Sequence, residues 1–168
     1  LDTFKAVIQK DWIWRDFFLT ELTTGLRRGE LCGLKWSDFD EEAGTLNVCR
    51  TIHARKGGGV EEGTTKTYAG TRTILLPSST AQLLRERKKS ALTEWIFPDP
   101  LCPEQPVSPG SAYRRLKGLL EEAGLPDLRF HDLRHTFATH ALASGVDAKT
   151  LSGILGHTKA SFTLDTYT

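Results

Sequence analysis

The sequence contains no methionine, has only three cysteines and carries almost no net charge. Cys32, Cys49 and Cys102 are odd in number, lie far apart and form no C-x-x-C pair. The pattern therefore indicates neither a disulfide framework nor a zinc knuckle, and it is typical of a reducing compartment. We expect a cytoplasmic protein. Because position 1 is not methionine, we also expect the chain to be a fragment of a longer protein.

Long hydrophobic runs are missing as well. No segment approaches the roughly 20 apolar residues that a transmembrane helix requires, so we expect no membrane partner. A net charge of +1, from 22 basic and 21 acidic residues, does not by itself indicate a nucleic-acid partner. With 168 residues, of which 39% are hydrophobic, the chain can bury one core, and we expect one domain over residues 1–168.

The spacing of apolar residues predicts an α+β fold that is mainly α. Residues 1–35 show helical spacing, which predicts three helices with a break at Gly25. Thr45–Ala54 and Thr71–Pro77 are rich in β-branched residues and predict a small antiparallel β-sheet. The remaining predicted helices cover residues 78–90, 111–123, 131–144, 147–155 and a short piece at 162–167.

The helix predicted over 78–90 carries a basic cluster formed by Arg85, Arg87, Lys88 and Lys89. We expect this cluster to point outward. Together with Arg72 it either contacts a nucleic-acid backbone or is merely solvated, and solvation is the default for a charge run.

The segment FHDLRHTF at residues 130–137 places a histidine and an arginine at the start of a predicted helix. His131, Arg134 and His135 stand at i, i+3 and i+4 and so share a face. Exposed amides and the helix dipole make this end electropositive, which suits a phosphate oxygen. The two histidines have the spacing of zinc ligands, but Arg134 would repel a divalent cation, and we expect no metal. Burial in a core is the other alternative, favoured for His135 over His131.

The segment TGLRRGEL at residues 24–31 contains a second arginine. Helical geometry puts Arg27 on one face with Glu30 and Leu31 and predicts that Arg27 points inward. Glu30 could then hold the guanidinium and leave donors for a ligand oxygen. The alternative is a structural Arg27–Glu30 ion pair without a ligand.

The third informative segment closes the chain. Asp147 is a predicted N-cap, and Gly156 is a predicted C-terminal stop. The turn at Gly156 would expose His157. Tyr167 follows ten residues later, and its side chain could reach the same pocket as His157.

The segments TGLRRGEL, HDLRHTFATH and LGHTKASFTLDTYT resemble, in order and spacing, the conserved boxes of the tyrosine recombinases, the phage and transposon integrases. The resemblance implies a site-specific recombinase of a mobile element or prophage that cleaves and rejoins DNA without metal or cofactor. It implies double-stranded DNA and other protomers as partners, with a tetramer on DNA for the full-length protein. We expect the fragment to be monomeric, and to lack the upstream core-binding domain and the tail after the tyrosine.

The resemblance also implies a role for each matching residue. Tyr167 is the nucleophile, and Lys66 is the acid that protonates the leaving 5′-oxygen, with Lys56 as its competitor. His131 is the candidate base for the tyrosine proton. The phosphate-binding residues are Arg27, Arg134 and His157, with Glu30 and His135 in supporting positions.

Two alternative functions stay open at this point. One is strand passage like that of a type IB topoisomerase, which shares much of the chemistry. The other is a non-catalytic DNA-binding module of the same fold. A zinc hydrolase built on His131 and His135 is a third reading, which Arg134 argues against.

Overall fold

The computed structural model of the chain describes residues 1–64 and 71–156. These residues form seven α-helices, a 3-10 helix at Trp36–Asp38 and five short strands. The helices are α1 Asp2–Gln9, α2 Arg15–Thr24, α3 Arg28–Cys32, α4 Ser78–Lys88, α5 Pro109–Glu122, α6 Phe130–Ala143 and α7 Ala148–Leu155. The strands are β1 Phe39–Asp40, β2 Thr45–Val48, β3 Arg50–Ala54, β4 Val60–Thr64 and β5 Arg72–Leu75. The predicted α+β fold, mainly α with a small antiparallel sheet, is confirmed.

Four predictions concern residues that lie outside the described ranges: the lysine at position 66, the histidine at 157, the tyrosine at 167 and the short helix over 162–167. Within the described ranges, none of the helices is long and apolar enough to cross a bilayer.

Local signals place the ends of two helices that matter for the site. Gly25 follows α2 with a left-handed φ of 65°, and its amide donates to the Glu21 carbonyl. The Asp147 side chain accepts a hydrogen bond from the Thr150 amide at 2.9 Å, and Gly156 ends α7 with a φ of 77°. Both predicted caps of α7 are therefore confirmed.

The strands form two separate antiparallel sheets. One has the order β1-β2-β5, and the other is the β3-β4 hairpin. The run Thr45–Ala54 forms two strands, β2 and β3, because it changes partner at Cys49. Val48 is the last residue paired with β5, opposite Arg72, whereas Arg50 already pairs with β4. Tertiary structure determines which strand each half of the run pairs with, and β-propensity does not specify this pairing.

The main core combines buried residues of the helices with inward-facing residues of both sheets. It contains an aromatic cluster in which Phe17 of α2 packs against Phe97, and both Phe17 and Phe18 pack against Phe130 at the start of α6. A second, smaller cluster joins α6 to α7 through Ala138, Leu151 and Leu155. Helices α2 and α6 are thereby held together, and α7 is attached to α6.

The basic cluster on α4 does not point outward as a whole. Lys88 and Lys89 are exposed, as predicted. Arg87 is half-buried, and it donates to Asp16 Oδ2 at 3.1 Å and to the Ile96 carbonyl at 2.8 Å. Its solvated placement was wrong, because a carboxylate of α2 and a loop carbonyl bind its guanidinium.

Candidate phosphate-binding site

The site begins at the turn between α2 and α3. Gly25 is buried, and a Cβ added to it would lie 2.2 Å from Cδ1 of Phe137 on α6. Its φ of 65° is also a conformation that residues with side chains rarely adopt. Only glycine allows α6 to approach this turn so closely, and Arg27 follows two residues later.

Glu30 binds this turn from within α3. It is 3% exposed, and its Oε1 accepts a hydrogen bond from the Arg27 backbone amide at 3.0 Å. Its Oε2 lies 3.5 Å from Nη1 of Arg27. The predicted Arg27–Glu30 pair is present, but Arg27 does not point inward. It precedes α3 as the N-cap residue, and its side chain is 47% exposed.

Arg72 occupies the other side of the same carboxylate. Its Nη1 lies 2.8 Å from Oε2 of Glu30 and its Nη2 lies 3.1 Å from Oε1, while Nε donates to the Ile154 carbonyl at 2.7 Å. The side chain is only 8% exposed. The solvated placement of Arg72 was therefore wrong, whereas its contact with a nucleic-acid backbone stays a prediction.

A signal for the burial of Arg72 was present in the sequence. Residues i and i+2 of a strand share a face, and Ile74 is an apolar residue two positions after Arg72. Ile74 is 3% exposed in the structure, so Arg72 lies on the inward face of β5.

Arg134 joins α6 to both other parts of the site. It is 5% exposed; its Nη1 donates to the Gly25 carbonyl at 3.0 Å, and its Nη2 donates to the Leu155 carbonyl. Arg134 and Arg72 therefore bind consecutive carbonyls in the last turn of α7. Cations at this end of a helix offset its dipole and satisfy carbonyls that lack helical partners.

Three guanidinium groups meet at Gly156. A Cβ added to Gly156 would lie 2.9 Å from Nη1 of Arg72 and 3.1 Å from Nη1 of Arg27, and Arg134 binds the preceding residue. Arg27 and Arg134, the arginines of the first two conserved segments, thus lie on the same side of the molecule. No side chain larger than that of glycine fits at this turn without displacing a guanidinium.

The electrostatics of the cluster are dominated by positive charge. Burial by itself would raise the pKa of Glu30, but the hydrogen bonds and charge of Arg72, aided by the Arg27 amide and guanidinium, outweigh burial and hold that pKa below its usual value. Glu21 is also fully buried, and neither of its side-chain oxygens has a hydrogen-bond partner among the described residues. Burial raises its pKa well above the usual value, against the opposing charge of Arg134.

The histidines of α6 lie on its surface. His131 and His135 are exposed, whereas Arg134, between them in sequence, is buried. Core burial of His135 was therefore wrong, and its supporting role stays a prediction, as does the role of His131 as a base. In residues 1–64 and 71–156, no group of three His, Cys, Asp or Glu side chains could hold a metal ion.

Lys56, the competitor of Lys66, lies in the exposed turn between β3 and β4. The amide of its neighbour Arg55 donates to the Gly59 carbonyl across that turn. This position agrees with the expected loop lysine.

An open groove of about 800 Å³ begins beside Arg27. Its walls come from the N-terminus of α3, from β3 and from the first turns of α5, and they include Arg27, Arg28, His53, Tyr113 and Arg114. Arg28 lies over the rings of Tyr113 and Phe130, 6.0 and 5.7 Å from their centroids. Neither Arg28 nor Arg114 was predicted as a functional residue, because their proximity depends on how α3 and α5 pack.

The sequence matches the phage integrase family over residues 6–168. It is 34% identical to a tyrosine recombinase XerC-like protein of Caldanaerobacter subterraneus subsp. tengcongensis, over 90% of this chain and 44% of that protein. It is 30% identical to a putative prophage phiRv2 integrase of Mycobacterium tuberculosis, over 90% of this chain and 41% of that one. A structure of the Tn1549 transposon integrase with transposon right end DNA shares a TM-score of 0.85 at 26% identity, over 99% of this chain and 59% of that one.

The chain therefore belongs to the phage integrase family, and its fold is that of a tyrosine recombinase catalytic domain. It spans less than half the length of the two relatives compared by sequence.

Proposed function

We propose that this chain is the catalytic domain of a site-specific DNA recombinase of a mobile element or prophage, which cleaves and rejoins strands through a 3′-phosphotyrosine intermediate. The observation that carries the proposal is the convergence of Arg27, Arg72 and Arg134 on the C-terminal turn of α7. His157 follows this turn directly in the sequence. Phosphoryl transfer depends mainly on positioning and on stabilising charge on the phosphate oxygens, which guanidinium groups can do without a metal.

In the proposed reaction, the Tyr167 phenol oxygen attacks the scissile phosphorus. A bond forms between that oxygen and phosphorus, and the bond from phosphorus to the 5′-oxygen breaks. His131 takes the phenol proton, and Lys66 gives a proton to the departing 5′-oxygen. Rejoining reverses these steps with the 5′-hydroxyl of a new strand. The covalent intermediate preserves the energy of the phosphodiester, so no ATP is needed.

Of the three arginines, Arg27 is the one whose side chain is substantially exposed, at 47%. We therefore assign Arg27 to a non-bridging phosphate oxygen and His157 to a hydrogen bond with the same phosphate. Arg134 belongs to the same cluster, where it also holds the Gly25 and Leu155 carbonyls.

Double-stranded DNA is the proposed substrate. The groove beside Arg27 carries three arginines and a histidine on its walls, and such a surface can neutralise backbone phosphates next to the scissile one. The solved Tn1549 integrase is bound to transposon right end DNA, which supports this choice. A structure of the lambda integrase is a tetramer on a Holliday junction, and we propose that the full-length protein also acts with other protomers.

The decisive experiment is covalent capture. The full-length protein is incubated with nicked target DNA, and adducts that survive denaturant are counted in the presence of EDTA. The parent should form an adduct, and Tyr167→Phe should form none. An adduct of equal strength in Tyr167→Phe would refute the nucleophile assignment.

Arginine variants test the phosphate-binding assignment. Arg27→Ala should lower the cleavage rate by about 100-fold or more, as loss of a donor to a transition-state oxyanion does. Arg55→Ala is the matched control, because Arg55 is 60% exposed and its ion pair is with Glu61 of the β3-β4 hairpin. Equal rates for parent and Arg27→Ala would contradict the proposal. Relaxation of supercoiled plasmid without sequence preference would instead indicate a topoisomerase, and DNA binding without an adduct would indicate a non-catalytic module.

A further inference from the structure

We propose that Arg72 is a positioning residue for strand transfer: it fixes Glu30, and through Glu30 the turn that carries Arg27, against the last turn of α7. This inference rests on the proposed function. Arg72, a β-strand residue, would then align the two parts of the phosphate site that come from opposite ends of the chain, the Arg27 turn and the last turn of α7.

The guanidinium of Arg72 binds a carboxylate and a carbonyl at the same time. Nη1 and Nη2 each donate to a different oxygen of Glu30, at 2.8 and 3.1 Å, and Nε donates to the Ile154 carbonyl at 2.7 Å. The rigid plane of the guanidinium fixes the angle between the carboxylate and the carbonyl. A lysine ammonium at this position could not reproduce the two-oxygen fork and the carbonyl bond together.

The partners of Arg72 lie far from it and from each other in the chain. The contacts of Arg72 bridge 42 residues to Glu30 and 82 residues to Ile154. Glu30 in turn accepts the Arg27 amide at 3.0 Å, and Ile154 lies three residues before His157 in the sequence. Arg72 therefore joins the neighbourhoods of two proposed phosphate-binding residues.

Arg72 is itself held in a defined place. It is the first residue of β5 and pairs with Val48 of β2. Lys66, the proposed acid, precedes it by six residues. The β1-β2-β5 sheet thus gives a fixed support, and a change at Arg72 is expected to disturb the alignment more than the sheet.

Burial makes the arrangement sensitive to substitution. The side chains of Arg72 and Glu30 are 8% and 3% exposed, and a buried carboxylate without its partner is strongly disfavoured. The charge and hydrogen bonds of Arg72 are the main factors that hold the Glu30 pKa down against burial. Without Arg72, Glu30 would take up a proton more readily and bind the Arg27 turn less firmly.

The chain offers a matched control in Arg50. Its guanidinium also forks onto a buried carboxylate, that of Asp38, and donates to a backbone carbonyl, that of Gly33, at 2.8 Å. Its side chain is 14% exposed. Arg50→Lys removes the same kind of contact as Arg72→Lys, but none of these partners belongs to the phosphate site.

The test compares Arg72→Lys and Arg50→Lys in the full-length protein. Single-turnover cleavage of nicked DNA is measured at saturating protein, and affinity for the same DNA is measured separately. We expect Arg72→Lys to cleave about 10- to 100-fold more slowly, the effect of a misplaced reacting group, with little change in affinity. Arg50→Lys should cleave at nearly the parent rate. A parent-like rate in Arg72→Lys, or equal losses in both variants, would overturn the inference.

The pH dependence supplies a readout that general destabilisation would not move. In Arg72→Gln, the ratio of variant to parent rate should fall further as the pH is lowered, because Glu30 is protonated more easily there. In Arg50→Gln the ratio should stay constant. A constant ratio for Arg72→Gln would also count against the inference.

Amide hydrogen exchange separates this inference from the proposed function, since it needs no cleavage. Residues 148–156 should exchange faster in Arg72→Lys than in Arg50→Lys. If the parent never cleaves DNA, the proposed function fails, and the exchange result still decides whether Arg72 holds the turn of α7. Equal exchange in the two variants refutes that role even if the parent is an active recombinase.

Discussion

Two glycines with nearly the same positive φ allow the crowding at the candidate site to be measured. Gly25 has a φ of 65° and Gly124 a φ of 66°. A Cβ on Gly25 would lie 2.2 Å from Cδ1 of Phe137, whereas a Cβ on Gly124 would meet nothing within 4 Å. Replacing either glycine by alanine therefore places a side chain at nearly the same positive φ, but only Gly25→Ala adds a steric conflict.

The expected magnitudes follow from this difference. A left-handed conformation costs a residue with a side chain about 1–2 kcal/mol, which is the expected loss in free energy of unfolding for Gly124→Ala. Overpacking adds about 1–3 kcal/mol, so Gly25→Ala should lose about 2–5 kcal/mol. For a chain of this size, each kcal/mol lowers Tm by about 2–4 °C.

Urea unfolding of the two variants is the assay, and a Phe137→Ala background isolates the contact. Once the ring is removed, Gly25→Ala should cost no more than Gly124→Ala. If the two single variants lost the same free energy, or if removal of the ring left the cost of Gly25→Ala unchanged, the close approach of α6 to the α2–α3 turn would be wrong. Cleavage should also fall in Gly25→Ala, because the Gly25 carbonyl accepts a hydrogen bond from Arg134.

Three further predictions concern other parts of the chain. Because burial raises the pKa of Glu21, the stability from its neutral form is complete below about pH 4 and is lost as pH rises through the folded pKa. The Tm of Glu21→Gln should therefore rise relative to that of the parent as the pH is raised. A Tm difference that does not change with pH would refute this. Burial also raises the pKa of Cys32, whereas Cys102 is exposed. Iodoacetamide should therefore label Cys102 in the native protein and Cys32 only after unfolding. Labelling of Cys32 in the native protein would contradict its burial. The Ser108 hydroxyl accepts from the Ser111 amide at 3.0 Å, and Ser108→Ala should cost about 1 kcal/mol of unfolding free energy, with no loss in urea unfolding as the contrary result.

Several features of the site could be predicted from the sequence because their causes are local. The breaks at Gly25 and Gly156 follow from the conformational freedom of glycine, and the start of α7 follows from the carboxylate of Asp147. The Arg27–Glu30 pair is likewise a contact between residues three positions apart. Periodicity located α6 and so placed Arg134 on a helix. In each case the interacting groups are within one turn of each other along the chain.

Tertiary structure alone decided how those elements form one cluster. Arg27 proved to be half exposed and Arg134 buried, because exposure depends on which surfaces meet when α6 packs on α2. The place of Arg72 depended on partners 42 and 82 residues away, and no local preference specifies contacts of that range. The sequence by itself determined the helices and the charged residues available for a phosphate site; the packing of α2, α6, α7 and β5 determined which guanidinium groups meet, because only folding brings their distant carbonyl and carboxylate partners together.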